Sequence, residues 1–481
     1  MRNIGIISAV FFICFVTMES HAQEKVLSLN DAIFLATRSH SAKAIAADSL
    51  KNELEDRIFK IGYLPHVSFS GSLPGLTNDI TPITMPDCSE QFSHRFYMSS
   101  SASLSISQKI PFTGGMVSLS GGLSRLDNFL PERSSSYSMS LFSLSYSQSL
   151  SPYNPDRWDR KIHQKSQEIN NVEQKQQIEH LKGEAAGLFF DLLSAQKRID
   201  IHNTMLLRAK YLAERAEVLY AHGTILEIDM LDAKIDLSEL ERENTAEALS
   251  LAKRNLSVLL TDLGDNYRPQ FDIGEIPDMP EHLNIETIVW RTLQYTKGLQ
   301  RELAELQEGK RNQSAKAVLF PTISVSVSGG ASSASQELRD IMTNPSRMSS
   351  AYVSISFPIL NWGESRLKYN VAMAESEKTS IEYERQLKDF ENTVRYEIAN
   401  ACLQRRLIET DGEIIEMLWK KLETLQNAFS AGKVDFGRIQ ETRRQILQAE
   451  INRISRIKGF YETVFRYRAN ALYDITSEMS L

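Results

Sequence analysis

Apolar and polar positions follow a period of two in several short stretches and a heptad spacing in two very long ones. Ile323, Val325 and Val327 alternate with Ser324, Ser326 and Ser328, and Val353, Ile355 and Phe357 alternate with Ser354 and Ser356. Such alternation predicts strands with one apolar and one serine face. An earlier strand opens Pro65-His66-Val67-Ser68-Phe69-Ser70, and another covers 136–150. Within the latter, Tyr137, Met139 and Leu141 give way to Phe142, Leu144 and Tyr146. That single slip of phase predicts a bulge. Residues 103–110 and 116–123 flank Thr113-Gly114-Gly115 and predict a further hairpin within about 98–126.

The long stretches read as helices. Ile178, Leu181, Ala185, Leu188, Leu192, Ala195 and Ile199 step by three and four, and the series runs on through His202 to Tyr220. Its counterpart runs from Leu387 to Phe429 and holds Glu397, Gln404 and Asp411 among its apolar positions. Both are heptad seams. A helix over 157–219 would be roughly 95 Å long at about 1.5 Å per residue, beyond any ordinary globular domain.

These elements occur twice, in the same order. A short helix begins near Leu27, capped by Asn30 or Ser28, and runs to about Ile61; another covers about 285–318. Each leads through a proline to strands, then to a long helix, a glycine (Gly223, Gly432) and a returning helix. Leu150 and Ile359, Arg157 and Arg366, and Gly223 and Gly432 all lie 209 positions apart. The reading is an internal duplication, with repeats over 23–272 and 273–481. Strands fall at about 65–150 and 321–360, and helical hairpins at 157–262 and 364–472 turn at 221–229 and 430–438. The first repeat carries about 47 extra residues, because Pro65 to Leu150 spans 85 positions and Pro321 to Ile359 spans 38.

The N-terminus stands apart. An apolar run from Ile4 to Val16 follows Met1-Arg2 and precedes Ser20-His21-Ala22. This predicts a signal peptide over 1–22, since the run is shorter than the roughly 20 residues a spanning helix needs. No other stretch is long and apolar enough to span as a helix, so any crossing of a membrane must use strands. A mean hydropathy of −0.29 is also too polar for a polytopic helical membrane protein. The net charge of −7 gives no basic excess for nucleic acid. Beyond the leader only Cys88 and Cys402 remain, too few for a disulfide framework.

Two principal strands per repeat give four per chain. The smallest closed membrane barrels have about eight, and open edges cannot stand in lipid. Closure therefore needs several chains, and three would supply twelve strands. The alternation would equally suit a soluble sandwich, so the strands alone leave both open. The extra hairpin either extends the wall or folds over a mouth.

In combination the chain resembles the TolC-like outer-membrane efflux proteins. The resemblance rests on Leu29-Asn30-Asp31-Ala32, on Gly62-Tyr63-Leu64-Pro65, and on Ser356-Phe357-Pro358-Ile359-Leu360-Asn361-Trp362-Gly363. The turn segments 223–233 and 431–433 add to it, and it covers about 27–472. It implies a mostly α fold with membrane strands: a homotrimer whose twelve-stranded β-barrel in outer-membrane lipid continues as an α-helical barrel through the periplasm. It also implies docking to a periplasmic adaptor and an inner-membrane transporter, in efflux or type I secretion. Adaptor docking and gating are expected at the tips: Gly223, Asp229 and Asp232 on one, Gly432, Arg438 and Glu441 on the other. Arg438 stands where the family commonly has aspartate, which suggests an Asp229–Arg438 pair between neighbouring tip hairpins. Tyr153, Trp158, Tyr352 and Trp362 near the strand–helix junctions are candidate membrane-interface aromatics, or packing at a bend.

No catalytic motif, cofactor fingerprint or metal-ligand cluster is apparent in the sequence. His163 and Glu168 share a charged helix face at a spacing that fits no metal site. The other readings weighed are a periplasmic coiled-coil scaffold without a pore and a secreted hydrolase on a helical frame.

Overall fold

The structure is a computed structural model that describes residues 25–85, 89–243, 245–260, 267–272, 274, 276–277, 285–474 and 479–480. The expected leader and Cys88 lie outside the described residues.

The chain opens with β1 (Lys25–Leu27), α1 (Leu29–Ala36) and α2 (His40–Ile61). Ser28 caps α1: its hydroxyl accepts from the Asp31 N–H at 3.1 Å, and the Asp31 carboxylate accepts from the Ser28 N–H at 3.2 Å. The expected single helix is broken at Ser39, whose hydroxyl accepts the Ala42 N–H and starts α2. Then follow β2 (His66–Thr84), β3 (Glu90–Ile110), β4 (Gly115–Leu130), β5 (Ser134–Leu150) and α3 (Pro155–Ala221). The returning path splits into α4 (Glu227–Arg242) and α5 (Ala246–Leu259), and β6 (Tyr267–Pro269) pairs in parallel with β1. The second part has α6 (Ile285–Thr292), α7 (Gly298–Ala317), β7 (Thr322–Ser335), β8 (Ser346–Ser356), α8 (Glu364–Ser430) and α9 (Gly437–Ala471). Helices α3 and α8 are each 67 residues, and their ends lie 209 positions apart. At about 1.5 Å per residue each is roughly 100 Å long.

Among the described residues one antiparallel sheet carries six strands, in the order β2-β3-β4-β5-β7-β8. The count of four strands per chain is thereby corrected. The extra hairpin lies in the sheet, paired to β2 on one side and β5 on the other. Its sequence could not fix its place, because alternation marks a strand but not its neighbours. The phase slip in β5 is a register shift between Ser140 and Phe142.

The long helices lie side by side, and the short α6 packs against both α8 and α9. Beside the sheet, neighbours run α2–α3–α7–α8. Polar contacts tie each pair: Ser49 to Gln174 at 3.0 Å, Lys165 to Glu302 at 2.6 Å, and Ser376 to Glu308 at 3.1 Å. Farther from the sheet α4 and α5 take one side of α3, while α9 joins α3 to α8. Of the eight buried positions in α8, six recur every seven residues (Val394, Ala401, Ile408, Ile415, Leu422 and Phe429), and Ala372 and Ile398 lie off that repeat. The polar residues of that seam have work in it. Glu397 meets Arg466 at 2.9 Å and Asp411 meets Arg456 at 2.7 Å, both on α9. Burial pushes the Glu397 carboxyl up and Arg466 pulls it back. In α3 the expected seam is only one of two. Ile201, Met205 and Leu212, one position off it, are buried as well, because α3 packs helices on both flanks.

Ile408 is fully buried. Ile408→Ala should cost about 2–4 kcal/mol, read as a lowered midpoint in thermal unfolding followed by circular dichroism. Glu409→Ala, which removes an exposed pair with Arg405, should cost well under about 1 kcal/mol.

Candidate functional site

The two faces of the sheet differ in kind. Residues paired across strands point the same way, so the register reads directly as rows. One row is His66, Ser107, Ser118, Ser145, Ser328 and Ser350; another is Ser70, Ser103, Gly122, Ser140, Ser332 and Ser346. Hydroxyls bond along them, Ser118 to Ser145 at 2.6 Å and Ser328 to Ser350 at 2.7 Å. The opposite face presents Val67, Ile106, Leu119 and Leu144 in one row. Val67 is 64% exposed and Leu144 52%, while Ile355 in β8 reaches 68%. So broad an apolar face is not stable in water. An apolar face backed by hydroxyl rows is the pattern of a wall between lipid and water.

Both ends of this wall are open within the chain. Strands β2 and β8 each have one unpaired side. Helices α2 and α8 lie at the two sides of the helical layer next to the sheet. Each edge helix shows an unpartnered apolar stripe, Leu50, Leu54, Ile58 and Ile61 on α2 and Leu367, Val371 and Ile381 on α8. Four residues join α2 to β2, and seven join β8 to α8. The edges of the two layers therefore coincide.

At the far end both hairpins turn alike. Gly223 (φ 70°) and Gly432 (φ 68°) take the left-handed conformation after α3 and α8. Each turn closes with a bond reaching back five residues, Thr224 N–H to Leu219 O and Lys433 N–H to Ala428 O. The two glycines differ in space: a side chain at Gly432 would run into the Thr224 carbonyl, whereas nothing lies near Gly223. The tips thus touch at Gly432.

The expected Asp229–Arg438 pair is not formed within the chain. Asp229 accepts the Phe436 N–H at 3.0 Å and so starts α9. Arg438 lies 3.5 Å from Asp435, at its own end of the helix. Asp232 is half-buried and Glu441 is exposed. The charge link between the tips is instead Asp236 on α4 with Arg443 on α9, nearly buried. Burial pulls the Arg443 guanidinium below its usual range, and Asp236 opposes that. Among the described residues its Nε and Nη2 have no hydrogen-bond partner. Sequence reasoning missed this pair, although a signal existed: Arg443 interrupts the stripe Ile439–Ile446, and Asp236 the stripe Ala233–Leu240.

The four aromatics divide. The Trp158 indole N–H donates to Gln313 and its ring lies against Gly309, so it packs α3 on α7. Tyr153 is half-buried. Tyr352 and Trp362 stand 62% and 88% exposed.

Gly223→Ala should cost about 1 kcal/mol of backbone strain, and Gly432→Ala distinctly more. The check is thermal unfolding together with protease sensitivity at the tips. Asp236→Ala should cost about 3–5 kcal/mol by stranding a buried guanidinium, against about 1 kcal/mol at most for Arg438→Ala.

Residues 299–456 match the outer membrane efflux protein family. No curated protein sequence matches the chain. Among solved structures the chain is similar to CusC, described with transmembrane channel formation, at 13% identity and TM-score 0.64 over 92% of this chain and 91% of that one. It is similar to the CmeC outer membrane channel of Campylobacter jejuni at 14% identity and TM-score 0.65, over 92% and 85%. The outer membrane protein VceC of Vibrio cholerae gives 12% identity and TM-score 0.60, over 92% and 95%. At these identities the likeness is one of fold. Residues 299–456 are thus similar to outer membrane efflux proteins, and the chain has the fold of solved outer-membrane channels.

Proposed function

We propose that three copies of this chain close edge to edge into a tube that serves as the outer-membrane exit duct of a tripartite efflux or type I secretion system. The observation that carries this reading is the coincidence of edges: β2 with α2 on one side, β8 with α8 on the other. A copy seated there pairs the free strand edges and covers both apolar stripes in one step. The number three follows the family resemblance. It gives twelve helices around the tube at any level, since four stand side by side in each chain.

The serine rows line the bore and the apolar rows meet lipid. Exposed Trp362 sits at the boundary with water, whereas Tyr352 pairs with Ser326 and so shares the serine face toward the bore. The tip turns point into the periplasm. There Ile228, Leu231 and Ile235 form an exposed stripe along α4, a surface suited to a helical adaptor that hands over cargo from an inner-membrane transporter. Transport of this kind needs a bore and docking edges, and no catalysis. Arg438, with its exposed guanidinium, and Asp229 of a neighbouring copy form a weak lock. Three pairs at roughly 0–1 kcal/mol each would bias a gate without holding it.

The test is the full chain, extracted and reconstituted in planar bilayers. A trimer that needs detergent and conducts ions supports the duct; a monomer that washes off membranes without detergent overturns it. Arg438→Glu should raise the conductance of the trimer, and unchanged conductance would remove the lock while leaving the duct.

A further inference from the structure

We infer that the closed barrel has eighteen strands, and that its bore is as wide as the helical tunnel below it. This rests on closure by three copies. Hairpin β3–β4 is an integral part of the wall. Strand β3 pairs with β2 from His66↔Ser107 to Thr84↔Glu90, and with β4 from Ile110↔Gly115 to Phe96↔Leu130. Strand β4 in turn pairs with β5 from Met116↔Ser147 to Asn128↔Ser134. Hydroxyl rows run through the hairpin, as in Ser68, Ser105, Ser120 and Ser143, with Gly122 standing between Ser103 and Ser140 in the next row.

The turn between β3 and β4 is fastened to the helices. Asn154, which caps α3, also donates to the Phe112 carbonyl at 3.2 Å. Gln148 donates to the Thr113 carbonyl at 2.5 Å, and Arg160 lies over the Phe112 ring. The insertion also keeps the strand number even. β2 runs away from the helices and β8 returns to them, so the seam between copies stays antiparallel.

Width follows from spacing. Strands about 4.8 Å apart and tilted about 40° each take roughly 6.3 Å of circumference. Six strands span roughly 38 Å, close to four helices at roughly 9–10 Å each; four strands would span only roughly 25 Å. Eighteen strands give a backbone diameter of about 36 Å and twelve about 24 Å. Taking about 5 Å of side chain from each wall leaves bores of about 26 Å and 14 Å. The wider one admits two packed helices, each about 10–12 Å across; the narrower one does not. The outer barrel therefore does not narrow the path, and cargo as thick as a helical hairpin passes it.

Electron cryomicroscopy of the detergent-extracted full chain is the direct test. A trimer with eighteen wall strands is expected. A trimer with twelve, and β3–β4 off the wall, overturns this inference and leaves the duct standing; absence of a trimer overturns both. A second measurement uses single cysteines in vesicles, with Cys88 and Cys402 replaced by serine. Ser120→Cys should react with a charged, membrane-impermeant maleimide at least tenfold faster than Leu119→Cys, and equal or reversed rates contradict a lumenal face on β4. A third replaces residues 85–133 by Asn-Gly, joining β2 to β5. Neutral polyethylene glycol about 20 Å across, added on the outer side, should lower conductance of the natural chain and lose that effect in the shortened trimer. An effect of equal size in both would also overturn the inference.

Discussion

An unpaired strand edge cannot persist in hydrocarbon, where each unsatisfied N–H or carbonyl costs several kcal/mol. The rest of this molecule is arranged around that constraint. Its sheet has an apolar face and two free edges, so in lipid it is incomplete alone. The helical layer is incomplete in the same places, with apolar stripes on α2 and α8. The two deficits sit on the same sides because each edge strand continues an edge helix. One contact between copies can then satisfy backbone groups above and side chains below.

Within a chain, different forces hold the two layers. The sheet is held by its backbone ladder and serine bonds, with little side-chain burial. The helical layer has its aromatic core around Phe189, Phe190, Tyr461 and Phe465 and a heptad seam along α8. Ion pairs such as Asp411–Arg456 and Glu397–Arg466 fix the register of α8 against α9. Each sets a mostly buried carboxylate against a more exposed arginine; such a pair adds little net stability but disfavours slipped alignments, because a slip would strand the carboxylate. Asp236–Arg443 does the same for the tips.

Much of this was legible in the residues. The two long helices lie within two residues of their expected bounds, and both glycine turns stand where expected, because heptad spacing and left-handed glycines are local signals. The serine and apolar faces were equally plain. The position of β3–β4 was not, since strand order depends on pairing partners far away in sequence. At the tips, charge and repeat position favoured Asp229 and Arg438, yet Asp229 is used by a backbone N–H that no side-chain pattern reveals. The Asp236–Arg443 link was hidden by the habit of reading charge on a helix as solvated.

The central claim is that β2 of one copy meets β8 of the next. Cysteine pairs test it most directly: one cysteine at Ser70 in β2, a second moved residue by residue through β8, and cross-linking in intact cells. Covalent dimers and trimers, strongest at alternate β8 positions, are the predicted result. Cross-links confined to single chains, or none at any position, would contradict the account.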